Sequence, residues 1–338
     1  MPGSLVNVAS TFYSRPMNSN STASTSPATT SPAATRAGEQ QAGSGGERHA
    51  LVADDGRHLA ASWFEPPSGP ARAVAVISSA AGVPRGYYRA FAQWLAERGY
   101  AVLTYDYRGV AGSRRGDMRH EPATMADWAL LDMSAALAAA QARRTTGGLP
   151  LLLVGHSLGG NAIAFARGVE HADALLTVAS QLGEPRLFPG VHRGVAEFFF
   201  RAWLPAVVGV AGYLPGWALG PGAQALPAGV ARQWAAWGRR PGWAYADPAM
   251  REHRAASALV VPVHLWNISD DLTYAPPRAV DALAAQFRNA AVQRHTIHPH
   301  DVGAKRLGHF GAFRREPGPR LWQRLLETIE QASPALRR

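Results

Sequence analysis

The 338-residue sequence contains no cysteine, which excludes disulfide scaffolding, zinc-thiolate sites and cysteine nucleophiles together. Lysine is nearly missing as well: Lys305 is the only one, and the formal charge of +10 is carried by arginine. The arginines are spread in singles and pairs such as Arg114-Arg115, Arg143-Arg144, Arg239-Arg240 and Arg314-Arg315. Without a basic helix, an aromatic platform or a nucleic-acid-binding signature, this excess reads as genomic base composition, and no nucleic-acid partner is expected. Long apolar runs are lacking too, since none reaches the roughly 18 residues needed to span a bilayer. A soluble, cytoplasmic chain with no membrane span is therefore expected. Large apolar side chains are scarce in residues 1–46, a Ser-, Thr-, Ala- and Pro-rich leader without the apolar centre of a signal peptide, and this leader is expected to be disordered.

What is present begins near Leu51. Alternating residues around Asp55-Gly56 predict a β-hairpin, Ala50 to Ala53 and His58 to Phe64. Short apolar strands then alternate with longer helical patterns. Strands are read at Ala73 to Ile77, Ala101 to Tyr105, Pro150 to Val154 and Ala174 to Ala179, and helices at Tyr87 to Glu97, Met125 to Ala142 and Leu158 to Val169. This rhythm implies right-handed crossovers and a mainly parallel sheet, with the hairpin as an antiparallel edge. Between Gln181 and Ser257 the rhythm stops, in a stretch rich in Trp, Phe, Gly and Pro. It resumes with a strand at Val260 to Trp266, a helix at Ala279 to Phe287, a strand near Val292 to Ile297 and a helix at Pro319 to Gln331. The expected organisation is a core of residues 47–180 and 258–338, with residues 181–257 inserted as a lid over the carboxyl ends of the strands.

The sharpest chemical signal is Gly155-His156-Ser157-Leu158-Gly159-Gly160, directly after the apolar strand and directly before a helix. Such a turn strains the serine and exposes its hydroxyl at the helix N-terminus, while small residues two places to either side let strand and helix backbones approach. A serine hydroxyl needs a base, and the base needs an orienting carboxylate. Asp270 and Asp271 follow the late strand Val261 to Asn267, and either can be that carboxylate on this reading. His309, in Leu307-Gly308-His309-Phe310-Gly311 between the last strand and the final helix, is placed to be the base. One backbone donor for a developing oxyanion is expected from Leu158 and the other from the loop Ser78 to Gly82, with Ala80 ahead of Ala81. The string His298-Pro299-His300-Asp301 lacks a recognisable metal spacing, and neither a metal nor a cofactor is expected.

Tyr87-Tyr88, the segment Gly99 to Gly109, the Gly155 to Gly160 elbow and the Gly308 to Gly311 loop resemble the α/β-hydrolase superfamily. Together with Leu226 to Trp237, they are most similar to bacterial predicted alpha/beta hydrolases related to serine aminopeptidases and lysophospholipases. The resemblance runs from about residue 50 to the end. It implies an α/β-hydrolase fold, a mainly parallel sheet with helices on both faces and an inserted helical lid. It also implies a triad of Ser157, Asp271 and His309, because relatives commonly place the acid nine residues after the proline that opens the preceding strand, here Pro262.

The activity so implied is hydrolysis of an ester or thioester, with an amide less favoured, through an acyl-enzyme on Ser157. A small-molecule acyl substrate is expected, its apolar part held by lid aromatics, Trp234 and Trp237 first among them. An acyltransferase using the same triad is the alternative enzyme, and a catalytically silent ligand-binding protein on this fold is the alternative outside enzymes.

Overall fold

The computed structural model describes residues 46–337 apart from 221, 222 and 257. The expected disordered leader therefore lies outside the described residues, except for Gly46 at its end.

Eight strands form one sheet in the order β1-β2-β4-β3-β5-β6-β7-β8. They are β1 (Glu47–Val52), β2 (His58–Phe64), β3 (Ala73–Ser78), β4 (Tyr100–Tyr105), β5 (Leu151–His156), β6 (Ala174–Val178), β7 (Pro262–Ile268) and β8 (Ala291–Ile297). The opening hairpin turns at Asp55-Gly56, where Gly56 takes a φ of +77°, and pairs β1 with β2 antiparallel. β2 joins β4 antiparallel, and every later pair is parallel. β3, β4, β5 and β6 are buried along their whole length, which explains why they read as continuous apolar runs rather than alternating ones.

The helices Arg89–Ala96 and Gly318–Ala332 cover one face, joined by an aromatic cluster in which Phe91 lies 5.4 Å from Trp322 and 5.3 Å from Phe313. Each such ring pair adds about 0.5–1.5 kcal/mol beyond the apolar area it buries. The helical run from Met125 to Gly147, with a π turn at Trp128–Asp132, covers the other face against β3.

The helix that follows the elbow is shorter than the sequence pattern implies. It spans Leu158–Ala162, passes into a 3-10 turn at Ile163–Phe165 and ends there. The carbonyl of Asn161 accepts the Tyr245 hydroxyl and that of Ala164 accepts the Ala255 N–H. Groups from the later segment thus take acceptors that a longer helix would use internally.

Between β6 and β7 the chain forms helices Gly190–Phe198, Leu204–Ala211 and Ala228–Gly238. The first two are continuous through a π turn, Phe199–Trp203. By length and composition, Gly190–Ala211 is the one helix among the described residues apolar enough to cross a membrane, and it is mostly exposed. A search for unbroken apolar runs passes over it because His192, Arg193, Glu197 and Arg201 interrupt it. One side is nevertheless anchored, through Phe200, Leu204 and Val208, in the main core.

Candidate active site

Ser157 sits at the turn between β5 and the helix Leu158–Ala162 with φ +53° and ψ −118°, a conformation that L residues rarely adopt and that costs on the order of 1–3 kcal/mol. The packing around it leaves little choice of neighbours. A Cβ on Gly155 would lie 2.2 Å from the Gly160 Cα, and one on Gly159 would lie 2.1 Å from the Ser78 carbonyl oxygen. Glycine at both positions lets the helix press against β5 and β3 and so lifts the serine out of the strand.

The loop after β7 divides its two carboxylates between two tasks. Asp271 Oδ2 accepts the Nδ1–H of His309 at 2.6 Å, and both side chains are almost fully buried. A carboxylate can only accept here, so the proton is on Nδ1 and Nε2 carries a lone pair. Asp270 turns instead to the backbone, accepting the N–H groups of Leu307 at 3.0 Å and Gly308 at 2.9 Å. Tyr274 lies against the His309 ring at 4.8 Å between centroids, and burial together with the Asp271 charge pushes its hydroxyl pKa up.

Behind this cluster lies a chain of hydrogen bonds whose direction is fixed. The carbonyl of His309 can only accept, so His156 Nε2 donates to it at 2.9 Å. His156 Nδ1 is then an acceptor and takes the Tyr88 hydroxyl proton at 2.8 Å. The Tyr88 oxygen in turn accepts the Ala80 N–H at 2.9 Å. Burial above all, and then the neighbouring His309, hold the His156 pKa well below the ordinary value, which keeps the ring neutral and this polarity intact. Adjacent Tyr87 donates its hydroxyl to the Phe310 carbonyl.

Two more tyrosines fix the loop after β3: Tyr107 donates to the Ser79 carbonyl at 3.0 Å, and Tyr105 bonds the Ser78 hydroxyl at 2.8 Å. The motifs Tyr87-Tyr88 and Tyr105 to Tyr107 are thus the struts of the loops around Ser157.

Ser157 and His309 line one cavity of about 260 Å³, together with Leu158, Ala80, Ala81 and Trp234. Its walls include Val83, Pro84, Met125 and Leu219 and are mainly apolar. Two expectations are corrected here. The Ala80 N–H is committed to Tyr88, whereas among the described residues the Ala81 N–H has no partner. Leu158 opens its helix, so its N–H has no intrahelical acceptor.

Trp237 does not line the cavity; it is buried, donates its indole N–H to Asp247 Oδ2 at 2.6 Å and packs on Trp243 at 4.8 Å. A buried indole turns toward the carboxylate that satisfies it, and Asp247 is not among the residues lining the cavity. Trp243, which lines the cavity, was not singled out in the sequence. Gly242-Trp243 gives no periodic signal, and only the fold brings it beside the elbow.

An elbow serine after the fifth strand of a mainly parallel sheet, with a histidine and carboxylate carried by the loops after later strands, defines the α/β-hydrolase fold. A family model for serine aminopeptidase, S33, matches residues 69–285, well over half of the chain, and the protein belongs to this family of hydrolases. Among solved structures, it is similar to a soluble variant of monoglyceride lipase from Saccharomyces cerevisiae in complex with a substrate analog. Identity is 13%, TM-score 0.57, and coverage 87% of this chain and 98% of that one. It is also similar to Est1E from Butyrivibrio proteoclasticus with ferulic acid bound, at 17% identity and TM-score 0.52, covering 83% and 98%. A third likeness is to a puromycin-hydrolyzing peptidase from Mycobacterium tuberculosis, at 18% identity and TM-score 0.51, covering 85% of this chain and 39% of that one. At these identities the likeness concerns the fold alone. Among curated proteins, no sequence matches.

Proposed function

We propose that the protein is a serine hydrolase that cleaves an ester or thioester of a largely apolar small molecule through an acyl-enzyme on Ser157. The observation that carries this reading is the strained Ser157 opening onto a cavity shared with His309, whose Nδ1–H is committed to Asp271. In this reading the His309 Nε2 lone pair takes the hydroxyl proton as Ser157 Oγ attacks the substrate carbonyl carbon. The carbonyl oxygen gains negative charge opposite the N–H groups of Leu158 and Ala81. The bond to the leaving oxygen or sulfur then breaks as the imidazolium gives that atom the proton. A water molecule deprotonated by the same nitrogen attacks the acyl carbon, releasing the acid and restoring the serine. The apolar walls favour a hydrocarbon or aryl portion in the substrate, held by contact area.

A fluorophosphonate probe should label the native chain and not Ser157→Ala, whose ester turnover should be lower by on the order of 10⁴ to 10⁶, because triad members act as a unit. Undiminished labelling of the alanine variant would place the nucleophile elsewhere.

A further inference from the structure

The helix Gly190–Ala211 is apolar along most of its length and yet mostly exposed. Its outward residues include Val191, Phe198, Ala202, Pro205, Ala206 and Val210, which recur at the three- to four-residue spacing of one helix face, or at twice that spacing. Val210 is 92% exposed. The Phe198 ring lies 6.4 Å from that of Trp203, and Trp203 lies 6.1 Å from Trp217. Trp203 also donates its indole N–H to the Ala218 carbonyl at 3.1 Å, so Trp217 is held beside the helix with 68% of its surface exposed. Apolar side chains scattered singly on a surface need no explanation, but a continuous face with an aromatic edge does.

The uncompensated charge around this helix has one sign. Glu197, the only acidic residue within it, is paired with Arg201. Arg193 on the helix has no acidic partner among the described residues, and neither has Arg239, whose Nη1 donates to the Phe200 carbonyl at 2.9 Å. The whole stretch between β6 and β7 carries eight arginines against four acidic residues. Whatever the origin of the arginine excess, the fold sets part of it beside an exposed apolar face.

We infer that this helix face, together with Trp217, docks on the surface of an anionic lipid bilayer. The helix does not cross it, since Phe200, Leu204 and Val208 tie the inner side to the core; it lies in the plane of the surface with its outer side in the headgroup region. An exposed indole suits that boundary, having an apolar body and one N–H for the wet side, and Arg193 and Arg239 attract anionic headgroups. A second copy of the chain fits less well, because Ala202, Pro205 and Ala206 offer no anchor and like charges would meet across the contact. The docked face also adjoins the cavity: Phe199 packs on the lining residue Trp234 at 5.3 Å, and Leu219, just beyond Trp217, is itself in the wall. An apolar ester held in the bilayer would thus meet the protein on the side where its cavity lies.

The test mixes the full chain with vesicles of phosphatidylcholine, and with vesicles in which about a third of the lipid is phosphatidylglycerol, and measures co-flotation. The native protein should bind the anionic vesicles at least about tenfold more tightly than the neutral ones, and high salt should weaken that binding. Replacing Phe198→Glu and Val210→Glu together should lower it by about tenfold or more, and Arg193→Glu should narrow the preference for anionic lipid. These side chains are exposed and none lines the cavity, so the variants should fold as the native chain does, with circular dichroism as the check. No binding to the anionic vesicles, or binding that the double variant retains, would overturn the inference. A dimer seen by light scattering that the double variant dissolves would give the face to a second copy instead. None of these readouts requires Ser157 to be a nucleophile, so they stand apart from the serine hydrolase reading.

Discussion

Asp270 and Asp271 are neighbours in the chain, yet they grip the His309 loop by different handles: Asp271 takes the imidazole N–H, and Asp270 takes the backbone N–H groups of Leu307 and Gly308. Asp271→Asn replaces an acceptor by an amide that can offer its own N–H to Nδ1, which disfavours the tautomer with a lone pair on Nε2. Turnover should fall by about 10³ to 10⁴ with the fold retained. Asp270→Asn keeps one acceptor for two donors, so it should lower the melting temperature and cost turnover only about tenfold. Steady-state kinetics and circular dichroism on both variants check this, and the reverse ranking would move the orienting role to Asp270.

Tyr88→Phe removes the one oxygen that links Ala80 to His156. Two buried groups lose their partner, at about 1–3 kcal/mol each, so the melting temperature should fall by several degrees, at roughly 2–4 °C per kcal/mol for a larger domain. The loops on either side of Ser157 should also lose their fixed spacing. We expect kcat to drop by about tenfold while KM changes little, because geometry rather than contact area is lost. A variant with lowered stability and native kcat would reduce Tyr88 to a packing role.

The strands, the hairpin edge and the elbow were legible because each carries a local signal: apolar runs, Asp55-Gly56, and glycines spaced two residues either side of Ser157. The residues alone leave Asp270 and Asp271 open; the resemblance, through the spacing from Pro262 common in relatives, implies Asp271, and it is Asp271 that bonds the imidazole. Residues whose placement depends on contacts distant in sequence were not legible. Nothing in Ser78 to Gly82 reveals that the Ala80 N–H is taken by a tyrosine eight residues on. Trp234 and Trp237 share one helix and look alike in sequence, and only the position of Asp247 separates the wall from the filler behind it.

That separation is measurable. Trp234→Ala should raise KM for long-chain esters more than for acetates, in proportion to lost apolar contact at roughly 25 cal/mol per Å². Trp237→Ala should chiefly lower stability, by about 3–5 kcal/mol as for other large core truncations. Equal effects of the two variants on the chain-length profile would contradict the assignment.

Stability should also depend on pH through a pair of histidines remote from the cavity. His264 titrates at about 4, depressed by burial first and then by His295, whose ring nitrogen lies 3.2 Å from its Nδ1. An unfolded histidine titrates at about 6.5, so between these values the unfolded chain binds a proton that the fold excludes. This contribution is complete above about 6.5 and is lost as pH falls toward about 4. Melting temperatures at pH 7.5 and 5 should differ accordingly, and His264→Asn should narrow the difference. An unchanged difference would remove His264 from the account.

The carbonyls of Asn161 and Ala164, at the end of the helix that begins beside Ser157, are closed off by Tyr245 and Ala255 from the segment between β6 and β7. That segment is therefore not a transplantable module. Exchanging it for the equivalent piece of a relative would remove the donors to two carbonyls at the end of the helix that begins beside Ser157, and a chimera designed to alter selectivity alone would disturb the serine as well. Variation in this protein is better sought by point changes on the cavity wall than by trading whole segments.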